Sequence, residues 1–188
     1  MRIQVAAAIC LSGISAMVFA AAPPAPRETP RTPEESAKLF HVHNDDLVWE
    51  QVLAEPVVAQ PVNMNFDERG RLWVVQYRQY PYPEGLKVLS RDKHWRVQYD
   101  KVPQAPPHHE RGLDKITIHE DTNGDGQFNL HKTFVDGLNL ATAVEIGRGG
   151  VWVLNPPYLL FYPDKDKTDK PDGDPEVRLS GFGLSDSH

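Results

Sequence analysis

The chain has 188 residues, 40% of them hydrophobic and 24% charged, with a net charge of −6. Such an acidic balance offers no basic face for nucleic acid, so no nucleic-acid partner is expected. Its one cysteine, Cys10, rules out a disulfide framework.

Met1-Arg2 leads into an apolar run from Ile3 to Phe19, followed by Ala20-Ala21-Ala22. A short positive start, an apolar centre and a small-residue exit describe a secretory signal peptide over residues 1–22. Ser12, Gly13 and Ser15 interrupt the run, which argues against a retained anchor. The protein is thus expected to be periplasmic or secreted, with membrane association only through an uncleaved leader or through parts outside this chain. Loss of the leader removes Cys10 and Arg2, leaving a net charge of −7 and no cysteine to hold haem or an iron–sulfur cluster.

Residues 23–45 read as a linker, because five prolines fall between Pro23 and Pro33. Within it Thr32-Pro33 could open a short helix over Glu34–Phe40. His41 and His43 are expected at the surface. Residues 46–188 read as all-β, and Leu47–Glu55 as an extra strand before the first repeat.

Two stretches then repeat one another. Residues 63–77 and 114–138 form the first copy, and 142–155 with 158–182 the second. Each copy runs apolar strand, glycine turn, strand with Trp, strand, acidic turn, strand ending in Gly and an apolar residue. Trp73 matches Trp152, Gly70 is matched with Gly150, and Gly137 matches Gly181. From Trp73 to Gly137 is 64 residues, but from Trp152 to Gly181 only 29. The excess of 35 is the length of Arg78–Gly112, which therefore reads as an insertion between the second and third strands of the first copy. Two tandem four-stranded antiparallel units predict two blades of a partial β-propeller. A propeller usually needs about 4–8 blades to close, and open edges are avoided, so the chain is read as the front portion of a larger propeller.

Successive turns of a meander alternate between its two ends. The turns at 67–70, 147–150, 121–129 and 164–174 should share one face, and the insertion and the terminal loop 183–188 the other. DTNGDGQFN places Asp121, Asn123, Asp125, Gln127 and Asn129 at alternate positions, with Gly126 at the sixth. That is the opening of a calcium loop, in which alternate oxygens point inward and glycine allows the bend. Lys132 stands where the bidentate Glu should be. A structural calcium site and an unmetallated Asx-type turn both remain open. The second acidic turn, 164–174, has Lys170 and Pro171 breaking its spacing and is expected to be a solvated loop. On the other face Arg78, Tyr80, Tyr82, His94, Trp95, Tyr99, Lys101, His108, His109, Arg111 and His188 offer the mixed chemistry that suits a polar organic ligand such as a sugar or a quinone. Asp186-Ser187-His188 is a sequence neighbourhood rather than a catalytic triad.

FDERGRLWVVQYRQYPYP, DKITIHEDTNGDG, TFVDGLNLAT, GRGGVWVLNPPYLLFYPD and LSGFGLSDSH together resemble the N-terminal propeller of a family of exported bacterial membrane-bound dehydrogenases. The likeness covers roughly residues 36–188. It implies similarity to the soluble quinoprotein glucose and sorbosone dehydrogenases, which use pyrroloquinoline quinone (PQQ). By that resemblance His188 matches the base that takes the substrate proton. Relatives often continue into helical repeats and a haem c domain, which would make a cytochrome the electron acceptor. The expectation is then a portion of an exported dehydrogenase oxidising a sugar or alcohol, inactive as this portion alone. Two other classes remain: a non-catalytic propeller binding glycan or protein, and a calcium-dependent lactonase-type propeller, which would hydrolyse lactones without added quinone.

Overall fold

A computed structural model describes residues 29–94 and 96–185. The expected leader, Trp95 and His188 lie outside the described residues. Thr32-Pro33 does open a short helix, α1 (Pro33–Ala37), with Glu34 and Glu35 in its first turn. Proline there costs nothing because the first helical N–H has no partner anyway.

Everything that follows is β. The first sheet has the order β1 (Pro61–Phe66), β2 (Leu72–Gln76), β5 (Asp114–Glu120), β6 (Leu130–Leu138), all antiparallel. The second runs β7 (Ala143–Ile146), β8 (Gly150–Asn155), β9 (Tyr158–Pro163), β10 (Glu176–Ser180), again antiparallel. Neither sheet closes on itself. Between β2 and β5 the chain leaves the sheet and makes a separate hairpin of β3 (Val88–Arg91) and β4 (Val97–Tyr99). This arm is the insertion seen in the sequence.

The strand alternation decides what each sheet buries. Trp73 and Val75 of β2 point to one side, Leu72 and Val74 to the other. The first pair joins Ile116, Ile118 and Phe134 in a core shared with Val144, Val151, Val153, Leu160 and Tyr162 of the second sheet. Trp73 lies 5.2 Å from Phe134, and Phe134 6.2 Å edge-on from Tyr162. Burying each such side chain contributes roughly 1.5–3 kcal/mol before entropy is counted. Trp152 occupies the matching position in β8 but takes the opposite face of its sheet. It packs 4.8 Å from Phe161, with the Arg178 guanidinium over both rings.

The turn that precedes each Trp needs a left-handed residue. Gly70 has φ +74° and Gly149 φ +80°, so Gly149, not Gly150, is the counterpart of Gly70. Gly150 is small for another reason: a Cβ there would stand 2.3 Å from the Tyr162 carbonyl oxygen.

The expected strand over Leu47–Glu55 does not form. A strand needs a sheet edge to receive its N–H and C=O groups, and no edge pairs with these residues. Leu47, Val48 and Trp49 are exposed, and Trp49 stacks 4.5 Å from Phe40 instead. Further along, Leu53 and Val58 lie as irregular chain against Leu72 and Val74 on the back of the first sheet.

Candidate functional site

The arm is fixed to both sheets by buried polar side chains. Asp114 opens β5 with no exposed surface. Its Oδ1 accepts the Arg78 amide at 2.8 Å and its Oδ2 the Ala141 amide at 3.1 Å, with Gln79 and Leu140 amides also donating. One carboxylate thus ties the exit of β2, the entry of β5 and the crossing between the sheets. Burial pushes it up to about 6, against the downward pull of those amides. Asn139 works beside it. Its Oδ1 accepts the Glu84 amide at 3.0 Å and its Nδ2 donates to the Glu84 carbonyl at 2.8 Å. From the second sheet, Tyr158 Oη donates to the Pro103 carbonyl at 2.7 Å. The Val97 amide of β4 donates to the Ser185 carbonyl at 2.8 Å, so the arm and the terminal segment do meet on one face.

Within this arm lies a cavity of about 340 Å³ lined by Glu84, Lys101, Gln104, His108 and Glu110. Of the residues singled out on this face, the structure gathers Lys101 and His108 here. It disperses others: Tyr82 receives the Arg91 guanidinium at 4.9 Å, Arg111 pairs with Asp136 at 2.6 Å, and His109 Nε2 donates to the Gly137 carbonyl at 2.7 Å. Glu84 and Glu110 were not foreseen. Nothing in their sequence spacing shows that the arm folds back to bring them together.

The acidic turns share the opposite face, where the second loop is largely solvated as expected but turns two of its aspartates inward. Asp164 and Asp169 are buried, while Asp166, Asp172 and Asp174 remain exposed. Asp164 takes the Thr168 amide on Oδ1 and the Asp169 amide on Oδ2, closing the loop on itself. Asp169 then reaches the first sheet, accepting Arg71 Nη1 and Lys132 Nζ, each at 2.7 Å. Arg71 also binds Asp67 at 2.7 Å, and Trp73 Nε1 donates to the same carboxylate at 3.0 Å. Burial would push Asp67 and Asp169 up. The bonds from Trp73 and Arg71 on Asp67, and from Lys132 and Arg71 on Asp169, outweigh it and hold both below the ordinary carboxylate range. Asp169 can be buried because Arg71 supplies its counter-charge, a pairing across 98 residues that sequence spacing cannot show.

In the 121–129 turn, Asp121 spends its oxygens on the loop's own backbone. Oδ1 accepts the Asn123, Gly124 and Asp125 amides and Oδ2 the Gly126 amide, which lowers its pKa. Asn129 Oδ1 accepts the Thr122 amide at 3.1 Å, and Asn123 Nδ2 donates to Asp125 Oδ2 at 2.9 Å. Gln127 donates its amide to Asp125 Oδ1. Among the described residues no three acidic, histidine or cysteine side chains are grouped to hold a metal ion.

A comparison with family models matches residues 32–188 to the Domain of unknown function (DUF7133). The chain belongs to this family. The match takes in both sheets, the arm and the whole described site, so the polar girdle around Asp114 and Asn139 is part of the DUF7133 domain. No curated protein and no solved structure matches the chain.

Proposed function

We propose that this DUF7133 chain supplies two blades of a β-propeller in an exported quinoprotein-like dehydrogenase, and that the face carrying the arm receives a sugar or alcohol. The single observation behind the ligand class is the arm cavity. Its volume, about 340 Å³, is at the low end of ordinary ligand sites, roughly right for a monosaccharide. Two carboxylates, one ammonium and one imidazole at its wall suit neighbouring hydroxyl groups, which both donate and accept. The tandem antiparallel sheets, stacked through one core, support the propeller architecture.

PQQ itself does not fit this cavity. It is a tricarboxylate, and Glu84 and Glu110 would oppose it with only Lys101 in favour. The role of His188 as a base rests on the resemblance alone. Calcium at Asp121, Asn123, Asp125, Gln127 and Asn129 is proposed as a structural ion, supported by the alternation of oxygen-bearing side chains.

A second reading, a non-catalytic glycan-binding module, is favoured by the same cavity. One experiment separates them. The full-length protein is titrated calorimetrically with PQQ and with a sugar panel, then assayed for dye reduction in the presence of PQQ and calcium. Turnover with quinone supports the dehydrogenase. Saturable sugar binding that Glu110→Gln weakens, without turnover or quinone binding, leaves the binding module. Absence of all three overturns both.

A further inference from the structure

We propose that His119 and His131 form a two-histidine binding site for a divalent transition metal, Cu(II) first, on the first sheet and away from the arm. The two residues are direct cross-strand partners of β5 and β6, and their Nδ1 atoms stand 3.0 Å apart. Metal–imidazole bonds of about 2.0–2.1 Å from both nitrogens would then meet at an angle near 90°. That is the cis arrangement of a square-planar or tetragonal ion, the geometry of Cu(II) and Ni(II), and Cu(II) heads the affinity order for such ligands.

The hydrogen bonds leave the His119 lone pair on the correct nitrogen. Gln76 Oε1 accepts the Ala59 amide at 3.0 Å, which turns Nε2 toward Thr117 Oγ1 at 2.8 Å. Thr117 donates its own proton to the Val74 carbonyl at 3.4 Å. Its oxygen is thereby left as acceptor for His119 Nε2–H at 2.9 Å. His119 is then the tautomer with a bare Nδ1 aimed at His131. A ligating imidazole whose second nitrogen donates to a buried acceptor is how proteins fix such ligands. His119 is buried and held, whereas His131 is exposed and opens the site to solvent.

Binding is an exchange: the ion takes the His119 lone pair, and His131 passes its proton from Nδ1 to Nε2 through solvent, so that a neutral imidazole ligates through Nδ1. The chain supplies two ligands and water the others, as no group of three histidine, cysteine or acidic side chains that could hold a metal is found among the described residues. Glu34 and Glu55 line the cavity of about 270 Å³ beside His131 and favour a cation there, while the Lys115 charge felt at His119 opposes it.

Cu(II) is titrated into the protein by calorimetry at pH 7.5, with electron paramagnetic resonance on the one-equivalent sample. The expected result is one site whose spectrum shows two nitrogen ligands and whose affinity falls at least about tenfold in His131→Gln. His131 is exposed, so that variant should fold. Thr117→Val, which frees the tautomer, should weaken binding less. Unchanged affinity in His131→Gln would place the ion adventitiously on other histidines and overturn the proposal. So would a native spectrum with fewer than two nitrogens, whatever the variants do.

Discussion

Replacing Asp169 with Asn tests what holds the two sheets together at the acidic-turn face. The Arg71 side chain is 4% exposed, Asp67 2% and Asp169 7%, so the three charges sit almost wholly out of water. Removing one partner of a buried pair costs about 3–5 kcal/mol, because the other charge stays desolvated. Asp67 still neutralises Arg71 in the variant, which places Asp169→Asn at the low end, about 3 kcal/mol. The half-exposed Lys132 adds less than about 1 kcal/mol. Arg71→Met leaves Asp67 without a cation and Asp169 with only the more exposed Lys132 and Arg69, and should cost at least as much. The double variant Arg71→Met with Asp169→Leu should cost less than the sum, with a coupling of at least about 1 kcal/mol. Urea unfolding followed by tryptophan fluorescence measures all three. The pH dependence has a fixed sign. Asp169 is held below its unfolded value near 3.8, so its contribution is present above that pH and is lost as pH falls through the lowered folded value. The native–variant gap should therefore begin to narrow below about pH 4. Additive single effects, or a gap that widens as pH falls below about 4, would show that the network does not couple the sheets.

Asp114 carries the opposite sign. Its folded value of about 6 lies above the unfolded 3.8, so it stabilises as pH falls from about 6 to about 4, by up to about 3 kcal/mol. Asp114→Asn should lose that slope, and urea midpoints at pH 4, 5, 6 and 7 that run parallel to native would contradict it. Trp73→Ala should cost about 3–5 kcal/mol, as Trp73 is 2% exposed in the shared core. Trp152→Ala, on the half-buried far face, should cost less than half as much by the same denaturation assay. Calcium should raise the melting temperature, and Asp121→Ala with Asp125→Ala should abolish the rise; an undiminished rise in that variant removes calcium from the loop.

Much of the fold was legible because it depends on period. Alternation in 72–76 and 151–154, positive-φ glycines before each Trp, and the surplus length of Arg78–Gly112 each report on local geometry. What the sequence hid depends on distance. Asp169 looks like one more acidic loop residue until Arg71 is seen beside it. Asp114 reads as an ordinary strand-start aspartate, and its role follows only from amides 36 and 27 residues away. The strand expected over Leu47–Glu55 failed for a related reason. Its apolar pattern is real, but a strand exists only where an edge accepts it. The arm cavity was half legible: Lys101 and His108 were picked out by chemistry, while Glu84 and Glu110 became neighbours through the β3–β4 fold-back.

The repeat also bears on whether the 121–129 turn is a metal loop. Trp73 pairs with Ile118 and Trp152 with Phe161, so Asp121 and Asp164 stand at the same place in the two sheets. They act alike: each closes its loop by accepting that loop's own amides. The second loop does this with Asp169 where the first has Gly126, and with Lys170 and Pro171 breaking the spacing that follows. Loop closure by a single aspartate is therefore a property of the repeat, and the alternating oxygens of 121–129 are an addition to it. Asp121→Ala should destabilise whether or not an ion binds, since four backbone amides lose their acceptor. Only the calcium-dependent part of the melting shift speaks for the ion, and that part should vanish in Asp125→Ala, which leaves the closing aspartate in place.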